Sequence, residues 1–420
     1  MDPIARRIQE VAERARRVKA ENLYFYLEPV EAIHGSSVTI GGRRMLLASS
    51  YSYLGLLGHP AIEAAAREAL AHYGSGTHGV RLLAGNTDLH DRLERRIASF
   101  VGAEAAVVYN SGFVTNVAAI SSLIGRGDVV VCDKLNHASI VDGCRLSGAE
   151  FVRVPHNDVA AMDRALSAVP ERAGRLVVVD AVFSMDGDLI DLPAVVEVCR
   201  KHQAWLMVDE SHSFGVLGAD GRGIESHFGL HESIPIKMSS LSKAIPSVGG
   251  FIAGATDLIA YLKHVSRAFV FSAALPPAST AAALAAIDLL EAEPQRVARL
   301  RARAQQLRAG LRRGGIEVRD DPTPIVPVMT GSDEAALKMT QLLFDAGIFA
   351  SPVVSPAVPP KTSRLRITTT AAHSEGDVDQ VVGGLVNAWT AVMSPPGAGS
   401  AAPDASPGPR RRQPWKAPAR

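Results

Sequence analysis

The sequence predicts an α/β protein built on a mostly parallel sheet, and three observations lead there. Short valine-rich apolar runs recur at Ala105–Tyr109, Val129–Cys132, Leu176–Asp180 and Trp205–Asp209, as expected of strands buried on both faces. Helical patterns such as Thr87–Phe100 and Leu192–His202 lie between them, and this alternation places helices on both sides of a sheet. The chain has 420 residues, 47% hydrophobic and 21% charged, the balance of a folded chain with at least one large core.

Taken in order, residues 1–45 form an N-terminal arm. Its first twenty residues carry six basic and three acidic side chains and read as an amphipathic helix. Residues 46–285 hold the strand-helix alternation and make the large domain. The pattern then shifts to a long charged helix, Glu291–Arg313, short strand-like segments and a last helix near Glu375–Val392. Residues 286–393 are therefore expected to form a smaller α+β domain. From Ser394 to the end the chain is rich in Pro, Gly, Ala, Ser and Arg, a composition that buries nothing and reads as a disordered tail.

Composition removes several function classes. Lys and Arg total 44 against 43 Asp and Glu, so there is no long-range basic field for nucleic acid. The longest apolar stretch, Phe269–Leu290, is interrupted by Pro276, Pro277 and Asp288, which leaves no membrane span. Three cysteines without a CxxC pair make neither a disulfide framework nor a thiolate zinc site. With no secretory pattern at the start, the cytoplasm is the expected compartment. No metal is expected.

Several local motifs fail on context. Gly74–Gly79 matches GxGxxG, yet it follows the helical pattern Pro60–Tyr73 where a dinucleotide fingerprint must follow a strand. Walker A, GxSxG and HExxH strings are absent. Ser240-Leu-Ser-Lys243 satisfies SxxK, but its companion motifs are missing or incomplete.

The strand ends form a better constellation. Polar groups follow apolar runs at Asn110-Ser111-Gly112, Asp133–His137, Ser184 and Asp209–His212, and ligands of open parallel sheets sit at the carboxyl ends of strands. Ser111-Gly112-Phe113 opens a helix, where free amides suit a phosphate; Ser111 is equally suited to a plain helix N-cap. Lys243 lies among small residues, either at the surface or desolvated into a neutral amine that attacks an aldehyde. Pyridoxal phosphate (PLP) chemistry needs a lysine for the aldehyde, a carboxylate for the pyridine nitrogen and a phosphate cup. Lys243, Asp209 and the Ser111-Gly112 turn supply all three.

These residues resemble the PLP-dependent α-oxoamine synthases of aminotransferase fold type I, over about residues 45–390. The matching strings are Ser52–Leu56, Gly74–Arg81, Asn136–Ser139, Asp209–His212, Ser242–Ala244 with Val248–Gly250, Phe271-Ser272 to Pro277, and Leu365-Arg366. Ser50–Gly55, Asp142–Cys144 and Gly218–Gly223 are most similar to the bacterial serine palmitoyltransferase branch. The chain departs from the biotin-pathway branch at Tyr51, where asparagine is typical. It departs again at Ala273, where a second hydroxyl is common.

The resemblance implies that Lys243 holds the aldehyde and that Asp209 partners the ring nitrogen. It implies that His137 stacks on the ring, while His212 bonds the phenolic oxygen with Ser184 beside it. The Gly112 and Phe113 amides and the Ser240 hydroxyl would take the phosphate, with Ser272 of a neighbouring subunit completing the cup in a homodimer. Arg366 would hold a substrate carboxylate through its planar fork, with Tyr51 beside the substrate. The implied reaction is a decarboxylative Claisen condensation of an amino acid with an acyl thioester, on coenzyme A or an acyl carrier protein. Serine is favoured, with glycine or alanine as alternatives; 8-amino-7-oxononanoate synthase or 2-amino-3-ketobutyrate ligase chemistry, or a secondary-metabolite synthase, are the other readings. Aminotransfer ranks below these.

Overall fold

A computed structural model describes residues 2–393; the tail expected at 394–420 lies outside the described residues. The chain opens on the helix Pro3–Ala20, and three short strands follow it, β1 (Ala32–His34), β2 (Ser37–Ile40) and β3 (Arg43–Leu47). The strands β4 (Ala105–Tyr109), β5 (Val129–Asp133), β6 (Glu150–Val154), β7 (Arg175–Asp180), β8 (Trp205–Asp209), β9 (Ile236–Ser240) and β10 (Gly250–Gly254) follow. They build one seven-stranded sheet in the order β4-β10-β9-β8-β7-β5-β6. The pairs among β5 to β9 run parallel, and β10 alone runs antiparallel to both of its neighbours.

Both faces of the sheet are buried, and successive residues alternate between two cores. Val129, Val131, Val177, Val179, Leu206 and Val208 belong to one cluster. Val130, Cys132, Leu176, Val178 and Met207 belong to the other. A strand covered on both sides has no solvent face to mark with polar residues, which is why these runs are continuously apolar. The helix Asp88–Val101 contributes Leu93, Ile97 and Phe100 to the first cluster, and Gly112–Leu123 contributes Ala118, Ala119 and Ile120 to the second.

The C-terminal part carries β11 (Ile325–Met329), β12 (Ile348–Phe349), β13 (Ser351–Val353) and β14 (Arg364–Thr368). β11, β14 and β13 form a three-stranded sheet, while β12 joins the N-terminal ribbon by pairing parallel with β3. A third cluster includes Leu307 and Leu311 of the helix Gln295–Arg313, Leu365 and Ile367 of β14, and Val381 and Leu385 of the helix Glu375–Met393.

The long helix expected over Glu291–Arg313 differs from the observed one, which starts at Gln295. A separate helix, Pro277–Ala292, precedes it. Pro294 explains the break, since it offers no N–H to the preceding turn and restricts the residue before it. Residue 285 lies inside Pro277–Ala292, whose Ala283, Ala286 and Leu290 pack in the large cluster.

Candidate active site

Lys243 sits in a loop that leaves β9 and folds back on itself. Leu241 N–H donates to Gly249 O at 2.9 Å and Ser247 N–H to Leu241 O at 3.1 Å. The loop holds the half-buried Lys243 over the strand end, where Nζ donates to Ser240 Oγ at 2.8 Å. Burial lowers the amine's pKa, against the pull of Asp209 and Asp180 in the same crevice. The lysine and the acid that the sequence singled out therefore share one site.

Asp209 closes β8 and is 4% exposed. Its carboxylate accepts from Asn116 Nδ2 at 2.7 Å and from Ser211 N–H at 2.8 Å. Both donors are neutral, so the buried carboxyl group still suits a cationic partner such as a protonated ring nitrogen. Asn116 also donates to Ser139 Oγ at 2.9 Å, while its own Oδ1 is buried without a hydrogen-bond partner.

His137 caps the helix Ala138–Ser147. Its Nδ1 lies 2.7 Å from Ser139 Oγ, and its backbone N–H donates to Asp180 Oδ2 at 2.7 Å. Burial lowers its pKa, so the ring is held neutral and flat-faced in the crevice. The Phe113 ring meets it edge to face at 6.2 Å.

The phosphate cup expected at Ser111–Phe113 is the N-terminus of the helix Gly112–Leu123. Ser111 Oγ accepts from Val114 N–H at 3.2 Å, and Ser111 O accepts from Thr115 N–H at 3.0 Å. Ser111 is thus the N-cap, and the Gly112 and Phe113 amides are left for an anion. The helix start presses against β9: a Cβ on Gly112 would stand 2.7 Å from Ser240 Cβ. The glycine is what lets the amides and the Ser240 hydroxyl converge.

His212 is buried, and burial drives its pKa well down. Its Nδ1 lies 2.7 Å from the Tyr53 hydroxyl, which also accepts from Arg366 Nη2 at 3.3 Å. Arg366 Nε donates to the Ser184 carbonyl at 2.6 Å, and its guanidinium stands 4.8 Å from the centre of the Tyr51 ring. Tyr51, Ser184, His212 and Arg366 thus form one contiguous wall. Ser272 is placed apart from these contacts: its neighbour Ala273 pairs with Val80 and accepts from Asn110 Nδ2 at 2.6 Å.

Three residues of the site escaped the sequence reading, namely Tyr53, Asn116 and Asp180. Asp180 carried the same signal as Asp209, an acid closing an apolar run. Asn116 lies mid-helix with no signal in its neighbours. Gly74–Gly79 follows the helix Pro60–Tyr73 in the structure, as its sequence context required.

The model of the aminotransferase class I and II family matches residues 43–385. The chain belongs to that family. It is 39% identical over 372 residues to a serine palmitoyltransferase from Sphingobacterium spiritivorum, covering 89% of this chain and 93% of the relative. An 8-amino-7-oxononanoate synthase from Geobacter sulfurreducens is 43% identical over 380 residues, with 90% and 97% covered. A solved serine palmitoyltransferase from S. paucimobilis, with PLP and myriocin bound, superposes with a TM-score of 0.90 at 32% identity. That match covers 94% of this chain and all of the other. Within the family the chain falls among the PLP-dependent α-oxoamine synthases, which are acyltransferases.

Proposed function

We propose that this enzyme condenses serine with an acyl thioester, releasing free thiol and carbon dioxide and giving an α-amino ketone. The observation that carries the reading is the meeting of Lys243, Asp209 and His137 in one crevice beside the Gly112 helix terminus. The residues fit PLP: an amine whose pKa burial lowers, a buried acid, two free amides and a hydroxyl. When bound, PLP supplies an aldehyde for the substrate amine and a protonated ring that accepts the electron pair freed at the α-carbon.

Each side chain then has a task. Asp209 keeps the proton on the ring nitrogen, His137 stacks on the ring, and His212, with Ser184 beside it, bonds the phenolic oxygen. Gly112, Phe113 and Ser240 take the phosphate, and Ser272 from a second copy completes the cup, which makes the working unit a homodimer. Arg366 grips the substrate carboxylate. Lys243 Nζ, its pKa lowered by burial, takes the α-proton as general base. The new carbon–carbon bond forms at the thioester carbonyl, the carbon–sulfur bond breaks, and loss of carbon dioxide makes the sequence irreversible.

The division proposed puts the cofactor on residues 46–285 and Arg366 on 286–393. The donor is coenzyme A or an acyl carrier protein. We assign the work to the cytoplasm, where the buried free thiols Cys132, Cys144 and Cys199 stay reduced. Serine is favoured over alanine or glycine because Tyr51, rather than a small amide, lies against Arg366. The test is mass spectrometry of products from serine, alanine and glycine, each with a panel of acyl thioesters. A yellow protein that releases thiol and carbon dioxide with serine supports the reading. A protein that takes up no cofactor, or releases no thiol with any pair, overturns it.

A further inference from the structure

His156 lies just beyond β6, outside every role assigned above. Its Nδ1 is 3.2 Å from both oxygens of Asp133, and its Nε2 is 2.8 Å from Asp188 Oδ2. Asp133 ends β5, and its carboxylate also accepts from the Leu135 and Asn157 amides at 2.8 and 2.7 Å. It therefore fixes the loop that delivers Asn136 and His137. Asp188 closes the turn 183–188, where Phe183 N–H donates to Asp188 O at 3.0 Å and Gly187 N–H to Phe183 O at 2.7 Å. The Phe183 ring lies edge-on to His156 at 4.3 Å.

The C-terminal part grips the same turn. Arg366 Nε donates to Ser184 O at 2.6 Å, Arg364 Nη1 to Met185 O at 3.1 Å, and Thr323 Oγ1 to Gly187 O at 2.7 Å. His156 is thus the tie between the cofactor-facing loop and the turn against which Arg366 is set.

Two carboxylates on two ring nitrogens need two donors, and only the imidazolium has them. Asp188 Oδ1 is buried without a partner, and the nearest other cation, the exposed Arg319, stands 3.5 Å from Oδ2. Asp321 pairs with Arg319 at 3.1 Å and draws that charge away. Loss of the His156 charge would leave Asp188 nearly alone, a costly state for a buried anion.

We propose that His156 is a positioning residue whose imidazolium, bridging Asp133 and Asp188, fixes the 183–188 turn and thereby the setting of Arg366 for the amino-acid carboxylate. The proposal rests on the assignment of Arg366 to that carboxylate. Burial opposes the charge, but hydrogen bonds and attraction from Asp133 and Asp188 outweigh it and raise the pKa to about 9. The bridge is therefore closed at neutral pH and opens in alkali.

The test titrates holoenzyme with L-serine, without acyl donor, by the visible absorbance of the cofactor. His156→Gln should weaken serine binding about tenfold at pH 7.5, the size of one charge-assisted hydrogen bond. Its PLP affinity should change by no more than about twofold, because the Leu135 and Asn157 amides still hold Asp133 and the loop that carries His137. Wild type should lose the same factor between pH 7.5 and 10, so that the two converge. In cofactor-free protein, hydrogen exchange over 183–190 should quicken in the variant. A serine affinity unchanged by His156→Gln, or exchange unchanged over the turn, overturns the proposal. Should the variant not fold, the wild-type comparison at the two pH values, corrected for intrinsic exchange rates, decides it alone. Serine binding needs no acyl transfer: a chain that binds serine and releases no thiol sinks the proposed function and leaves this test standing.

Discussion

Asp180 and Asp209 are Cα partners at the carboxyl ends of the adjacent parallel strands β7 and β8, and both are buried. Two carboxyl groups so placed do not share ionisation easily. Burial, with Asp209 adding to it, pushes the Asp180 carboxyl well above the usual carboxylate range. Asp180 is the member biased towards its neutral form, and its carboxyl accepts the His137 amide. Asp180→Asn should keep the yellow absorbance and a kcat/KM within about tenfold of wild type, because it keeps the shape of a group that burial already biases towards neutrality. Asp209→Asn should lose about a hundredfold or more, since it removes the counter-charge proposed for the ring nitrogen. Absorbance and steady-state kinetics at neutral pH check both; equal damage from the two substitutions would refute the division of roles.

Tyr53 is wholly buried, and its hydroxyl links His212 at 2.7 Å to Arg366 at 3.3 Å. Tyr53→Phe preserves the ring and deletes the link, leaving His212 Nδ1 without that partner. The cost should be about 1–3 kcal/mol, the usual penalty for an unsatisfied buried polar group. It should fall on the KM for the amino acid as well as on kcat, because the hydroxyl touches a proposed cofactor contact and a proposed substrate contact at once. Separate measurement of the two constants checks it.

The sheet was legible because its strands are buried on both faces, so that Val129–Asp133 and Leu176–Asp180 stand out as unbroken apolar runs. Lys243 and Asp209 were legible as chemistry, since each lies where a strand or its following loop presents a polar group. Asn116 was not: it sits on the buried side of the helix Gly112–Leu123 and reaches Asp209 from 93 residues away in sequence. Pairing of that kind depends on register between distant strands, which no local pattern records. Arg308 was hidden for another reason. It looks like one more solvated charge on Gln295–Arg313, yet its guanidinium donates to the carbonyls of Arg319, Thr323 and Ile325.

Gly112 stands where the helix terminus meets Ser240. A methyl group there would lie 2.7 Å from Ser240 Cβ and 3.6 Å from Met238 Cε. Gly112→Ala must push the helix start away from β9, with an overpacking cost of about 1–3 kcal/mol. The amides and the Ser240 hydroxyl would then no longer converge. The expected outcome is a lower PLP affinity together with a lower melting temperature of the cofactor-free protein. Equilibrium dialysis and calorimetry check the two separately; an unchanged PLP affinity would show that the phosphate rests elsewhere.

His156 makes a pH-dependent contribution to stability whose sign follows from its proton. The folded-state pKa is raised from 6.5 to about 9, so the native protein holds a proton over that interval that the unfolded chain has released. The stabilisation is complete below about pH 6.5 and declines as pH rises to about 9. His156→Gln has no such proton to lose. The gap in melting temperature between wild type and His156→Gln should therefore be widest near pH 6 and shrink by pH 9.5, whatever residual packing loss the glutamine leaves. Calorimetry of the cofactor-free proteins across that range checks it. A gap that stays constant would mean that the ring is held for its shape, and that the two carboxylates do not depend on its charge.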